Sequence, residues 1–341
     1  MATQSLAVKY RPRTFSEVVE QSATKVILQQ QLETGDIQNA YLFCGGSGTG
    51  KTTCARIFAN EVNHGEGTPI ELDAASNNSV DDVREIIQQA KASSLNSEYK
   101  VFIMDEVHAL SNQAWQAMLK SLEEPPAKSI FILCTTDPQK IPKTILSRVQ
   151  RYNFQRISTG AIEDRLAFIV SEENVGGDTK EQTDKSEEAI KYIAKLVNGG
   201  MRDAITTLDK CLAYSTDLTI ENVVMALGLS DYDTMCRFLS SIVEVDNTKQ
   251  IEIINEVYMA GKDLKQFIKD FTYFVTDCCK FNLGARDYIT CPDTDEIVSA
   301  FKKVDLTDST SLLNSLVRLQ TDIKWDTNPL ARIEAWCITK E

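Results

Sequence analysis

Residues 45–52 have the sequence Gly-Gly-Ser-Gly-Thr-Gly-Lys-Thr, which matches the phosphate-binding pattern G-x-x-x-x-G-K-[ST]. The glycines let backbone N–H groups surround phosphate oxygens, and a helical pattern that follows them adds a favourable dipole. We expect Lys51 to reach the β- and γ-phosphates of a nucleotide and Thr52 to ligate Mg²⁺. The expected nucleotide contacts in this segment are Gly45, Gly46, Ser47, Gly48, Thr49, Gly50, Lys51, Thr52 and Thr53.

Two carboxylates follow the apolar run Val101–Met104, further along the chain. Open α/β sheets bind ligands at the carboxyl ends of their strands, where both side chains would lie. We expect Asp105 to hold Mg²⁺ through water and Glu106 to act as general base toward the attacking water. A solvent-facing acidic strand end is the alternative, and the preceding phosphate-binding motif disfavours it.

Thr135 and Thr136 end another apolar run, Ile130–Cys134. A polar residue there would lie between the two motifs and contact the γ-phosphate or the water. We favour Thr135 for this role, with Thr136 as the close second. The alternative is that both hydroxyls only cap the following turn.

Two arginines could contribute positive charge from outside the motifs. Arg148 follows a short helical pattern, and we expect it at the edge of the domain, away from its own nucleotide. There it could act as an arginine finger on the ATP of a neighbouring subunit. Arg202 begins a later helix and could reach the γ-phosphate of its own site. A surface arginine is the alternative for each.

Alternating apolar strand and helix patterns extend to about Phe154 and predict a parallel sheet covered by helices on both faces. The strand patterns cover Tyr41–Cys44, Ile70–Leu72, Val101–Met104 and Ile130–Cys134. Beyond them the patterns are helical, interrupted by a polar stretch, Gly176–Lys185, that we predict to be a loop. The chain therefore divides into an α/β domain over residues 1–156, a small helical domain over 157–220 and a second helical domain over 221–341.

Composition narrows the classes of protein. The 341 residues are 43% hydrophobic and carry a formal net charge of −13, which argues against a basic DNA-coating protein. Residues 1–155 hold 15 basic and 17 acidic side chains, so a nucleic-acid surface is expected in this nearly neutral part. Nine scattered cysteines favour free thiols in a cytoplasmic protein, and the presence of only two histidines argues against a histidine-rich metal site. No apolar run is long enough to span a membrane.

Several motifs together resemble the gamma/tau subunits of bacterial DNA polymerase III, which are clamp-loader ATPases. The segments that carry the resemblance are Leu6–Phe15, Asp73–Asn78, Asp105–Leu110, Leu122–Pro126, Thr135–Pro142 and Gly199–Asp209. They occur in the family's order, densely from about residue 5 to 155, and the match is weak in the last third.

The resemblance implies a RecA-like AAA+ domain, a helical lid and an all-α collar that holds a five-subunit ring. ATP binding by such a ring opens a sliding clamp and grips primer–template DNA, and hydrolysis releases the clamp closed on DNA. On this basis the motif residues, Thr135, Arg148 and Arg202 keep the roles given above. Tyr10, Arg11, Pro12 and Val19 would line the adenine pocket.

Three features differ from the family pattern. Asn63–Gly67 replaces the usual four-cysteine zinc module with a tight turn, so no zinc is expected. The family's Ser-Arg-Cys is Ser147-Arg148-Val149 here, which keeps the arginine. The chain ends at Glu341 without the long tail of tau forms, which suggests a compact version.

DNA contacts are expected from loops and helix starts rather than from a large basic patch. The candidates are Asn77, Asn78, Arg84, Ser111 and Asn112, although simple capping explains each of them. Two other functions remain open. The chain could be another AAA+ DNA motor, such as a branch-migration ATPase, or a non-hydrolysing scaffold subunit. Intact phosphate-binding and acidic motifs disfavour the scaffold.

Overall fold

The computed structural model describes residues 4–92, 97–173, 175, 180–228, 232–292 and 294–339. Its strands are β1 (Ala40–Gly45), β2 (Ile70–Asp73), β3 (Lys100–Asp105), β4 (Ser129–Thr135) and β5 (Gln150–Phe154). The α-helices are α1 (Leu6–Lys9), α2 (Ser22–Thr34), α3 (Lys51–Val62), α4 (Val80–Lys91), α5 (Asn112–Glu123), α6 (Lys143–Leu146), α7 (Thr159–Glu172), α8 (Lys180–Leu196), α9 (Met201–Tyr214), α10 (Ile220–Leu227), α11 (Tyr232–Val243), α12 (Asn247–Met259), α13 (Leu264–Asn282), α14 (Asp295–Lys302), α15 (Leu306–Ile323) and α16 (Pro329–Thr339).

The strands form one parallel sheet in the order β2-β3-β4-β1-β5. Its central strands are apolar because both faces of the sheet are covered. Along β1, Tyr41 and Phe43 enter one apolar core, while Leu42 and Cys44 enter the other. This alternation follows from the two-residue period of a strand. The four predicted strands are therefore present, in a sheet of the predicted kind.

Strand β4 lies between β1 and β3, with Thr135 paired to Cys44 and Leu133 paired to Met104. The carboxyl ends of the three strands consequently meet at one edge of the sheet. This order places the phosphate-binding segment after β1 and the carboxylates after β3 on either side of the end of β4. The position expected for Thr135 and Thr136 between the two motifs follows from it.

Two elements differ from the sequence prediction. Strand β5 was not predicted because Gln150, Arg151 and Asn153 are polar, and only Tyr152 and Phe154 of its five residues are buried. It lies at the edge of the sheet, where one buried face is enough. The predicted loop Gly176–Lys185 is wrong from Lys180 onward, because α8 begins there. Residues 176–179 lie outside the described residues.

The chain forms two compact units. Unit 1 comprises residues 1–175 and 193–209, and unit 2 comprises residues 176–192 and 210–341. Unit 2 has its own apolar core, in which the rings of Phe238 and Phe271 lie 4.8 Å apart and Trp336 is buried. The predicted boundaries at 156 and 220 remain a prediction. No helix among the described residues combines the length and apolarity needed to cross a membrane.

Candidate nucleotide site

The phosphate-binding loop connects β1 to α3 in unit 1 and depends on glycine at specific positions. Gly48 has a φ of 70°, and a Cβ there would lie 3.1 Å from the Cα of Gly200. A Cβ at Gly45 would clash with the carbonyl oxygen of Phe154 on β5. Glycine is therefore required both for the turn and for the close approach of two other backbone segments.

Lys51 begins α3, and its side chain is folded back over the loop. The ammonium group donates to the carbonyl oxygens of Gly45, at 3.0 Å, and Gly46, at 2.8 Å. The hydroxyl of Thr49 also donates to the carbonyl of Gly46, at 3.0 Å. Only 6% of Lys51 is exposed, so its charge is concentrated inside the loop that is expected to surround phosphates.

Thr52 and Asp105 join the two motifs directly. The hydroxyl of Thr52 donates to Asp105 Oδ2 at 2.7 Å, and the other carboxylate oxygen accepts the N–H of Glu106 at 3.0 Å. The Thr52 oxygen keeps lone pairs for a cation while its proton is held by the carboxylate. Hydroxyl and carboxylate oxygens are hard ligands of the kind that Mg²⁺ prefers. These residues therefore fit the cation expected from the sequence.

Glu106 adopts a left-handed backbone conformation, with φ 50° and ψ 41°, directly after β3. Its Oε2 accepts a hydrogen bond from the hydroxyl of Thr136 at 2.9 Å. Thr135, which the sequence favoured, is fully buried and accepts the N–H of Asp137 at 3.0 Å. Of the two threonines, Thr136 is thus the one in contact with the Glu106 carboxylate.

His108 is a member of this cluster that the sequence analysis did not identify. Its Nδ1 lies 3.2 Å from Glu106 Oε2 and 3.2 Å from Thr135 Oγ1. The sequence shows His108 two positions after Glu106 but does not indicate that the two side chains meet. A histidine two positions after Glu106 returns to it only because of the left-handed turn, which the sequence did not predict.

A cavity of about 390 Å³ adjoins the loop within unit 1. Its lining includes most of the predicted nucleotide contacts, namely Tyr10, Arg11, Pro12, Val19, Gly48, Thr49, Gly50, Lys51, Thr52, Thr53 and Arg202. Gly45, Gly46 and Ser47 are not among its lining residues. Segments far apart in sequence therefore share one cavity, as expected of a site for a whole nucleotide.

The N-terminal segment is fixed against α7 and α9 by polar contacts. The hydroxyl of Tyr10 donates to Glu173 at 2.5 Å, and Arg165 donates to the Tyr10 carbonyl at 2.9 Å. The backbone N–H of Leu6 donates to Asp209 at 3.2 Å. The hydrogen bond to Glu173 raises the pKa of Tyr10. These contacts hold one wall of the cavity beside the helix that begins near Arg202.

The charges lining the cavity favour an anion. Within the described ranges, no ion pair joins Lys51, Arg11 or Arg202 to a carboxylate. The N–H of Met201 donates to the carbonyl of Gly48 at 3.0 Å, which sets the start of α9 against the loop. Burial lowers the pKa of Arg11, and the neighbouring Arg56 and Arg202 lower it further. Converging cations of this kind suit a polyphosphate.

Arg148 does not line the cavity. It follows α6, and its guanidinium lies 2.5 Å from Glu123 Oε1 and donates to the Thr144 carbonyl at 2.6 Å. It therefore lies outside the cavity lined by most of the expected nucleotide contacts. Its action on a neighbour stays a prediction.

The candidate DNA contacts have local structural roles. The hydroxyl of Ser111 caps α5, whose first residue is Asn112, and the Asn78 carbonyl accepts the N–H of Ser111. Asn77 donates to the Asp73 carbonyl at 3.0 Å, and Arg84 pairs with Asp81 at 3.0 Å. Their contact with DNA stays a prediction.

A family model described as DNA polymerase III, delta subunit, matches residues 68–158. The chain is 34% identical to the DNA polymerase III subunit tau of Bacillus subtilis, over 96% of this chain and 62% of that protein. It is 34% identical to subunit tau of Escherichia coli, over 76% of this chain and 43% of that protein. It is 31% identical to subunit gamma of Buchnera aphidicola from Acyrthosiphon pisum, over 81% of this chain and 80% of that protein.

The chain thus spans 43% of the length of the Escherichia coli tau protein and 62% of the length of the Bacillus subtilis one. Among solved structures, a variant of RuvB from Thermotoga maritima matches with a TM-score of 0.52 at 19% identity. That match covers 69% of this chain and 80% of the RuvB chain. This likeness shows the fold alone, and the expected fold class, a RecA-like AAA+ domain followed by helical parts, is confirmed.

Proposed function

This chain belongs to the gamma/tau family of DNA polymerase III subunits, and we propose that it is the ATP-driven motor subunit of a sliding-clamp loader. The observation that carries the proposal is the direct hydrogen bond between Thr52 and Asp105. It brings the phosphate-binding loop and the acidic end of β3 together, as phosphoryl transfer to water requires.

In this proposal the cavity binds ATP. The adenine and ribose lie against Tyr10, Pro12 and Val19, and the phosphates lie in the loop beside Lys51. Phosphate oxygens replace the loop carbonyls as acceptors for the ammonium group of Lys51. Because phosphate oxygens are negatively charged, they stabilise the buried ammonium group more strongly than the carbonyls do. Thr52 and Asp105 would hold Mg²⁺, which would supply positive charge to the phosphates.

In this proposal Glu106 acts as the general base for hydrolysis. Its carboxylate accepts a proton from a water molecule as the water oxygen bonds to the γ-phosphorus. The bond from the γ-phosphorus to the bridging oxygen breaks, and its electron pair leaves with ADP. Thr136 holds one carboxylate oxygen, so the other remains available to the water. Arg202 supplies positive charge at the γ-phosphate from the start of α9.

Arg148 acts outside its own cavity, on ATP held by an adjacent subunit of a pentameric ring. Positive charge at the γ-phosphate stabilises the transition state and raises hydrolysis by roughly 10³–10⁵-fold in other ATPases and GTPases that use such a finger. In this assembly residues 1–156 are the ATPase domain, 157–220 the lid and 221–341 the collar. The partners are a sliding clamp, primer–template DNA and further clamp-loader subunits in the cytoplasm.

The test is steady-state ATP hydrolysis by the chain, with the other ring subunits of its source where these exist. The rate is measured with primed DNA, with the sliding clamp from the same source and with both. A clamp loader should respond to clamp and DNA together by more than the sum of the separate effects. Stimulation by DNA that the clamp does not change would instead support a branch-migration type of motor. Absence of hydrolysis in the complete ring would support a scaffold.

A further inference from the structure

His108 lies in a short helical turn, Val107–Ala109, that follows the left-handed Glu106. The left-handed residue reverses the chain after β3, which brings the imidazole back toward the Glu106 carboxylate. Both side chains are partly shielded from solvent, with 22% of His108 and 36% of Glu106 exposed. Shielding reduces competition by water and strengthens any hydrogen bond between them.

The contact between Nδ1 and Glu106 favours one tautomer of His108. An ionised carboxylate only accepts hydrogen bonds, so Nδ1, which lies 3.2 Å from Glu106 Oε2, attracts that oxygen only when it carries a proton. Thr135 Oγ1, also 3.2 Å from Nδ1, already accepts the N–H of Asp137 and can share the same imidazole proton. The tautomer that suits this contact has its proton on Nδ1 and none on Nε2.

Two polar groups thus approach one oxygen of the carboxylate. Nδ1 of His108 lies 3.2 Å from Glu106 Oε2, and the hydroxyl of Thr136 donates to the same oxygen at 2.9 Å. No hydrogen bond is found between Oε1 and another described side chain or backbone group. Rotation of the carboxylate is restricted by the two contacts, while Oε1 is left as the acceptor for water.

We propose that His108 is a positioning residue for Glu106, whose Nδ1–H orients the carboxylate so that Oε1 accepts the proton of the attacking water. The inference rests on the proposed ATP hydrolysis and adds a residue that acts through the base without contacting ATP. His108 also contacts Thr135 at the end of β4. Residues that follow β3 and residues at the end of β4 therefore determine the orientation of the carboxylate together.

Three substitutions separate this role from simple packing. In His108→Asn, the side-chain amide nitrogen occupies the place of Nδ1 and can donate to Glu106. In His108→Gln, the amide lies one bond further along the side chain, and His108→Ala removes the donor. We expect kcat to fall about tenfold in the Ala and Gln variants, and ATP affinity to stay within about twofold of wild type. The Asn variant should recover most of kcat.

The inference is wrong if the Asn and Gln variants have the same kcat, if His108→Ala hydrolyses ATP at the wild-type rate, or if only KM changes. Thermal melting of each variant identifies unfolding. His64→Ala is the matched control, because His64 is the second of the two histidines and is exposed. Its kcat should equal that of wild type.

A measurement without ATP tests the contact itself. The ¹⁵N resonances of the two histidines are assigned by comparing wild type with His64→Asn, at a pH above the range in which histidine titrates. His108 should show a protonated Nδ1 and an unprotonated Nε2. The opposite tautomer would overturn the inference, whatever the rate of hydrolysis.

The two proposals fail separately. Wild-type hydrolysis without a joint response to clamp and DNA would refute the clamp-loader function, while the order of the His108 variants in basal hydrolysis would still support the inference. A joint response to clamp and DNA that is identical in all His108 variants would refute the inference and leave the function standing.

Discussion

Arg148 is held by Glu123 of its own chain, with 2.5 Å between the guanidinium nitrogen and the carboxylate oxygen. Arg148 also donates to the Thr144 carbonyl, at 2.6 Å, and to the Ser147 hydroxyl. The side chains are 32% and 49% exposed. Surface ion pairs at such exposure contribute about 0–1 kcal/mol. Separating Arg148 from Glu123 therefore costs little.

Arg148→Ala should leave ATP binding by the chain within about twofold of wild type, because this residue does not line the cavity. Hydrolysis in the assembled ring should fall by about a hundredfold or more, because a transition-state charge is lost. Fluorescent-nucleotide titration and steady-state hydrolysis are the two measurements. An unchanged rate in the ring would exclude an action on the neighbour.

Glu123→Gln should release Arg148 without removing it. We expect hydrolysis in the assembled ring to rise by up to about threefold, since breaking a surface ion pair costs less than about 1 kcal/mol. The adjacent Glu124 is exposed and has no ion pair among the described residues, so Glu124→Gln is the matched control. Equal rates in both variants would mean that Glu123 does not restrain the finger.

Lys51→Ala should lower ATP affinity by about a hundredfold, because charge-assisted hydrogen bonds to phosphate are lost. Lys120→Ala, which removes an exposed lysine at the end of α5, should have no effect. Calorimetric titration with ATP measures both affinities. Retained affinity in Lys51→Ala would refute the phosphate-binding role of the loop.

Arg11→Ala tests whether Arg11 contacts phosphate rather than only the base. Arg11 lines the cavity without an ion pair among the described residues, and Arg202 is near enough to lower its pKa. Affinity for ATP should fall about tenfold, while affinity for adenosine should be unchanged. Arg13→Ala is the control, because Arg13 is exposed and does not line the cavity. Equal losses for ATP and adenosine would place Arg11 at the base.

Asp277 should be important for the stability of unit 2. Its carboxylate is buried, accepts the N–H groups of Thr290 and Cys291 at 2.8 and 2.9 Å, and pairs with Lys280 at 2.7 Å. Asp277→Ala leaves these donors unpaired and should cost about 2–4 kcal/mol. Chemical denaturation measures the loss, and hydrogen exchange at residues 290 and 291 should accelerate. The exposed Asp287→Ala should change neither quantity.

The central strands could be predicted because β1, β3 and β4 are continuous apolar runs between turn residues. Strand β5 could not, since its polar residues face outward at the sheet edge and resemble a loop. The start of α8 was missed for a related reason. Residues 180–185 are all polar, so this part of the helix has no apolar face by which the sequence would predict it.

The site was predictable where one short segment contains the chemistry, as in the loop around Lys51 and the acids after β3. Contacts between segments were not. Whether Thr135 or Thr136 contacts Glu106 depends on the residue at which β4 ends. The strand ends at Thr135, and the next residue, Thr136, donates to the carboxylate. The contact of His108 depends on a left-handed residue, and glutamate gives no sequence signal for that conformation.

The left-handed backbone of Glu106 also has a consequence for selection and engineering. Glycine adopts this conformation without the steric penalty that glutamate bears, which is about 1 kcal/mol or more. A Glu106→Gly chain should therefore melt at a higher temperature than wild type although it lacks the proposed base. Screens that select this protein for thermal tolerance alone would therefore favour glycine at this position over the glutamate that we propose as the base.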